Sequence, residues 1–329
     1  MQNLTPPVAR LQTPSAQHLL LSIDSVSVII AFWLILFFST NRVNAQRQAW
    51  LQPYLEVWRS GKVPTPVISP DLLNNAELLT SIQPFLNDST LSVSRGARQL
   101  LTSLAINSSD RAIRQRATNL LVGALTLTGE NESLVYSLRQ FQPADFAASA
   151  RDTLAARIRQ SPTSMASLIR LAGYIDLAAL RDFLRSQSTP QNSNKKVRWA
   201  ALLALARMGD EQATAAVLQQ VKKQPMGDQV VENLFPDLVY TRQRLALDYL
   251  GEILSNETPL CTSLNPELTD AIDCGYRVME MLALVIRDFP LKLGTMGDIE
   301  TNDYERALAQ ARQWWRGHQY DYVILNETY

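Results

Sequence analysis

The sequence predicts an all-helical fold in which antiparallel helix hairpins stack side by side into an α-solenoid. Three observations predict it. Apolar residues recur at helical spacing, and few segments alternate apolar and polar with period two. The helix formers Leu, Ala, Arg and Gln are abundant, while the 12 Gly and 16 Pro fall mostly between apolar stretches. From Asp71 onward, helical patterns of roughly 12–20 residues alternate with short polar turns, as helix hairpins require. At 329 residues, 46% hydrophobic and 19% charged, the chain can bury a sizeable core and is not globally disordered.

Residues 26–38, VSVIIAFWLILFF, are the one long, uncharged and nearly all-apolar run. As a helix they would span about 20 Å, against about 30 Å for a bilayer's hydrocarbon core. That length suits a signal-peptide apolar region, and Val43-Asn44-Ala45 would permit cleavage before Gln46. The long leader and Asp24 fit this less well. Two other readings stand beside it: a short membrane anchor, which would give membrane association through residues 26–38, and a buried helix of a cytosolic protein. Export to the periplasm or cell envelope is the expectation carried forward.

Cys261 and Cys274 are the two cysteines, thirteen residues apart around a loop. An oxidising compartment would let them pair, with about 3 kcal/mol of stabilisation in the chain-entropy model; separate buried thiols are the alternative. With no second Cys pair and no nearby His, zinc is not expected.

Four segments follow from the pattern: 1–45 as signal peptide or anchor, 46–69 as an N-terminal helix and Pro-rich loop, 70–290 as helical repeats, and 291–329 as a capping helix and tail. The first helix carries Trp50, Tyr54 and Trp58 at i, i+4, i+8. The clearest repeat is 195–223. Val197, Ala200, Ala201, Ala204 and Leu205 form an apolar stripe, Leu202, Leu203 and Ala206 add a second face, and Gly209-Asp210 ends the helix. Ala213, Ala216, Val217 and Val221 then give a one-sided outer helix. Glycines 129, 173, 209 and 251 are 44, 36 and 42 apart, and each is expected at a helix end. The last helix is expected over 303–317, its tryptophans sealing the end of the stack.

Val197-Arg198-Trp199-Ala200-Ala201 with Gly209-Asp210 resembles a short HEAT repeat. Looser copies begin at Ile113-Arg114-Gln115-Arg116-Ala117 and Val93-Ser94-Arg95-Gly96-Ala97. The resemblance covers about residues 70–290 and implies a superhelix that binds other proteins. It also reaches HEAT-like proteins that attach bilin chromophores, a role that export argues against. An irregular helical bundle is the structural alternative.

No catalytic residue, metal ligand or cofactor is expected. Beyond the leader His318 is the one histidine, and no Gly-rich phosphate loop, nucleophile elbow or metal-ligand spacing is present. Lys+Arg and Asp+Glu number 31 each; removing residues 1–45 takes away Arg10, Arg42 and Asp24 and leaves 29 against 30. Neutral charge offers nucleic acid no attraction. One candidate binding feature is an arginine ridge, Arg95 and Arg98 on one helix with Arg111 and Arg114 on the next, suited to carboxylates, phosphates or peptides. Its alternative is a set of structural bonds between repeats. The expected function is a non-enzymatic scaffold for a protein or peptide partner outside the cytoplasm. The second reading is a carbohydrate-active envelope enzyme or its accessory subunit, with the aromatic tail as a sugar platform.

Overall fold

The computed structural model describes residues 51, 53–62, 76–129, 131–192, 194–263, 270–295 and 297–329. The expectations for the leader, the apolar run 26–38 and Trp50 lie outside them. By contacts the chain divides between Glu56 and Val57, and Val57–Tyr329 form the larger unit. Before the division, Leu51 and Leu55 are buried.

Among the described residues the protein is mostly helical, with a small two-stranded hairpin. Residues 53–59 are helical. Then come α1 (Ala76–Ile82), α2 (Leu91–Ile106), α3 (Arg111–Gly123), α4 (Glu132–Leu138), α5 (Ala148–Arg159), α6 (Met165–Tyr174) and α7 (Arg181–Gln187). They are followed by α8 (Lys195–Arg207), α9 (Glu211–Lys222), α10 (Asp228–Asn233), α11 (Phe235–Thr241), α12 (Arg244–Ser255), α13 (Gly275–Ala283) and α14 (Tyr304–His318).

Local chemistry explains several of these ends. Asn194 caps α8 by accepting from the amides of Lys196 and Val197, both at 3.1 Å. Asp210 caps α9 through the Ala213 amide at 3.0 Å, and Asp303 caps α14 through the Arg306 amide at 2.9 Å. Between α8 and α9, Gly209 takes φ +85°, a left-handed conformation open to glycine at little cost.

The rest of the glycine series marks helix ends only in part. Helix α3 stops at Gly123, six residues before Gly129. Gly173 is the last residue but one of α6, close to the expected end, whereas Gly251 lies inside α12; close approach demands both. A Cβ on Gly173 would stand 2.6 Å from the Ala204 Cα, and one on Gly251 would stand 1.9 Å from the Trp315 ring. Arg242 adopts φ 53° and turns the chain between α11 and α12.

Two successions of neighbouring helices organise the packing. In one, α2 touches α4, α4 touches α6, α6 touches α8, α8 touches α11, and α11 touches α13. In the other, α1, α3 and α5 are consecutive neighbours, as are α9, α12 and α14. The tightest meeting is α6 against α8, where Ala201 and Ala204 are fully buried and small enough to let the backbones close on Gly173.

The loop between the two cysteines is flanked by strand β1 (Pro259–Thr262), paired antiparallel with β2 (Ala271–Asp273). The disulfide Cys261–Cys274 fastens the hairpin. The Asp228 carboxylate holds it to α10, accepting from the Thr262 amide at 3.0 Å and its hydroxyl at 2.8 Å.

Candidate binding site

Arg95, Arg98 and Arg114 of the predicted ridge line two cavities that share Gln140, and Arg111 binds a neighbouring carbonyl. Arg98 is buried on α2; it donates to the Leu86 carbonyl at 2.8 Å, the Ser133 hydroxyl at 2.7 Å and the Asn87 side chain at 3.3 Å. It and the exposed Arg95 line a cavity of about 360 Å³ with Tyr136 and Gln140. On α3, Arg111 donates to the Ala144 carbonyl at 2.7 Å. Arg114 pairs with the buried Asp145 at 2.9 Å and donates to the Ser108 carbonyl at 2.8 Å. Arg114 lines a second cavity, of about 330 Å³, which also reaches Gln140.

A denser cluster lies further along the first succession of helices, and the sequence pattern did not single it out. It comprises Arg139 at the end of α4, Arg170 and Tyr174 on α6, Arg207 at the end of α8, and Tyr240 and Arg242 at the end of α11. The register of each helix carries them to one place. Arg170 pairs with Asp237 at 2.5 Å, and the other Asp237 oxygen accepts from the Trp199 indole at 2.6 Å. The Tyr240 hydroxyl donates to the Arg170 carbonyl, and Arg207 donates to the Tyr240 carbonyl at 2.6 Å. The Arg170 guanidinium lies 4.7 Å from the Tyr240 ring centre, and that of Arg207 lies 5.5 Å from the rings of both Tyr174 and Tyr240.

Into this cluster comes the segment 322–329. It is anchored beside the end of α13, where Arg287 N donates to the Val323 carbonyl at 2.9 Å and Leu325 N to the Val285 carbonyl at 2.8 Å. It then crosses α11, α8 and α6. Arg242 Nε donates to the Leu325 carbonyl at 2.9 Å, and Arg207 Nη2 to the carbonyls of Asn326 and Thr328, each at 2.9 Å. The Tyr174 hydroxyl is 2.8 Å from the Glu327 carbonyl. The Tyr329 ring ends the crossing among Tyr174 and Tyr240, both 5.4 Å away between centres, with the Arg139 guanidinium 4.2 Å from its own centre.

The electrostatics follow from burial. Desolvation lowers the Arg207 pKa, and desolvation joined by the neighbouring Arg207 charge lowers that of Arg242. Arg170 is raised: desolvation, the largest influence, works against it, and the Asp237 carboxylate together with Tyr329 and Tyr240 outweighs that. Desolvation, despite the nearby arginines, pushes the Tyr174 phenol up to about 12 and that of Tyr240 higher still. Neutral phenols and charged guanidiniums therefore face the segment, all as hydrogen-bond donors or ring platforms. Chemically this is a surface for gripping acceptor groups, above all backbone carbonyls.

One sequence signal would have found it. Arg139, Arg170, Arg207 and Arg242 succeed one another at 31, 37 and 35 residues, the spacing of a two-helix repeat. The predicted capping role of the tail aromatics divides similarly. Trp315 and Tyr322 are buried together, 5.2 Å between centres; Trp314 stacks on His318 at 4.4 Å; Tyr320 is exposed. Among the described residues, no group of three or more His, Cys, Asp or Glu is placed to hold a metal ion. Compared with family models, curated proteins and solved structures, the chain matches none of them.

Proposed function

We propose that this protein is a non-enzymatic interaction scaffold, acting outside the cytoplasm, whose stacked helix pairs receive an extended segment of a partner protein. The observation that carries the proposal is the hold of Arg207, Arg242 and Tyr174 on the carbonyls of residues 325–328. Donors drawn from three helices converge on an extended backbone, which is the chemistry of peptide recognition rather than of bond cleavage.

Three further features favour it. The run of contacts through α2, α4, α6, α8, α11 and α13 supports the solenoid reading, because each helix meets the next without a shared hub. Arginines at repeat spacing support a surface built by the same repetition. The disulfide supports an oxidising compartment, and with it the reading of residues 1–45 as a signal peptide or anchor.

The test is a photo-crosslinking side chain placed at Tyr136, exposed on α4 of the first succession, or at Gln219, exposed on α9 of the second. A partner captured from the envelope fraction through position 136 and not through 219 is the expected result. Equal capture from both positions, or from neither, overturns the scaffold reading. Mass spectrometry of the same sample should find a chain that begins at Gln46 or retains residues 26–38 in the membrane; an intact cytosolic chain overturns the localisation.

A further inference from the structure

The segment 324–329 is gripped in a way that takes little account of its sequence. Three carbonyls, of Leu325, Asn326 and Thr328, accept from Arg242 and Arg207, and that of Glu327 shares the one Tyr174 hydroxyl proton with the Phe141 carbonyl, at 2.8 and 2.9 Å. Asn326, Glu327 and Thr328 are exposed, and one side chain among them, the Thr328 hydroxyl, meets the cluster, at 3.1 Å from Arg242. What the site selects is an extended chain followed by one aromatic ring.

The resident chain also fits imperfectly. The Tyr329 hydroxyl and the Arg139 Nε are both buried without a hydrogen-bond partner among the described residues. A buried polar atom left unpaired loses its hydration and gains nothing in return, so an occupant that lacked the hydroxyl would fit better. A phenylalanine at that place meets the condition, and an acceptor beside it would engage Arg139.

Resting on the proposed scaffold function, we infer that the Arg139–Arg170–Arg207–Arg242 cluster is the recognition site for a partner's extended segment ending its crossing in a phenylalanine-like ring, and that residues 324–329 are a built-in competitor. The partner enters by displacing them. The same donors serve both occupants, because carbonyls are common to every peptide. Selectivity comes from the ring nest formed by Tyr174, Tyr240 and Arg139.

The experiment uses the full chain and three labelled six-residue peptides: a copy of 324–329 and its forms with Phe or Ala at the last place. Tyr329→Ala vacates the nest while leaving the groove residues in place; should it lose its cooperative melt, Tyr329→Leu replaces it. By fluorescence anisotropy, Tyr329→Ala should bind the Phe peptide at least about tenfold more tightly than the Ala peptide, a difference of about 1.4 kcal/mol. The unaltered chain should bind the Phe peptide more weakly than Tyr329→Ala, by a similar factor. Adding Arg207→Gln and Arg242→Gln should abolish the binding. Equal affinity for Phe and Ala peptides, or for the two proteins, overturns the inference. Concentration-dependent dimers of the unaltered chain that vanish in Tyr329→Ala also overturn it, by assigning the site to a second copy. No binding to a well-folded Tyr329→Ala makes the segment a permanent part of the core and sinks this proposal alone; the crosslinking contrast between positions 136 and 219 still decides the scaffold reading.

Discussion

The arginines of α2 and α3 and those of α6 to α11 do the same chemistry over very different stretches of chain. Arg98 and Arg114 find their acceptors within 35 residues: Leu86, Asn87 and Ser133 for one, Ser108 and Asp145 for the other. Arg242 reaches 83 residues to Leu325, and Arg207 reaches 121 to Thr328. The first group ties each helix pair to its neighbour, and the loss of one such tie is confined to that junction. The second ties three helices to a single distant segment, so that segment couples them. Guanidinium donors thus serve as local rivets in one region and as a long-range clasp in the other.

The sharpest way to break this comparison is to remove one carboxylate from each region. Asp237→Ala leaves Arg170 with its charge largely desolvated and frees the Trp199 indole, and should cost about 3–5 kcal/mol in urea denaturation. Amide exchange should accelerate through α6, α8, α11 and residues 324–329 together. Asp145→Ala, which unpairs Arg114, should speed exchange in α3 to α5 and leave α8 and α11 unchanged. If both substitutions loosen the same residues, the distinction between rivet and clasp is wrong.

A smaller effect probes the packing beneath the clasp. Gly173→Ala places a methyl 2.6 Å from the Ala204 backbone, and should destabilise by about 1–3 kcal/mol. Gly123→Ala, on α3, meets nothing within 4 Å and should instead stabilise, by up to about 1 kcal/mol. Thermal melts of the pair check both signs; a tolerated Gly173→Ala would mean that α6 and α8 can part at no cost.

The smallest effect depends on pH. Burial first, then the hydrogen bond to the Asp248 carboxylate at 2.8 Å, raises the pKa of Tyr322 well above that of a free phenol. An acid whose folded pKa is raised gives its full stabilisation below the unfolded value near 10. It loses about 1.4 kcal/mol per pH unit above that, since the unfolded chain releases its proton first. Tyr322→Phe should therefore cost about 1 kcal/mol at pH 8, and the gap should close between pH 10 and 11. A gap that widens with pH contradicts the assignment.

How much of this could be read from sequence obeys the same division between near and far. The cap residues Asn194, Asp210 and Asp303 sit beside the helices they start, and Asp303 is the first residue of the helix expected over 303–317. The disulfide pairing was open to inference because its partners are thirteen residues apart. The jobs of Gly173 and Gly251 were not, because the contacts that require them come from Ala204 and Trp315, 31 and 64 residues away. Nor was the break at Arg242: an arginine at φ 53° has no local signature, and apart from the Val239 carbonyl its side chain is held by residues more than 80 positions on. The spacing of Arg95, Arg98, Arg111 and Arg114 within their helices was visible, but the local acceptors that Arg98, Arg111 and Arg114 engage were not. The cluster that gathers at residues 325–329 was visible as arginines spaced 31, 37 and 35 residues apart, a longer period that a search confined to single helices passes over.

The distance along the chain between the clasp and what it holds also sets a timetable. Tyr174 precedes Glu327 by 153 residues, which at about 5–20 residues per second is about 8–30 s of synthesis. Throughout that interval α6 can already exist while the carbonyls of residues 325–328 do not. A nascent chain therefore holds Tyr174, Arg207 and Arg242 on the Phe141, Tyr240 and Val239 carbonyls alone before residues 325–328 can join them, and an extended polypeptide nearby meets the groove with no resident segment in it.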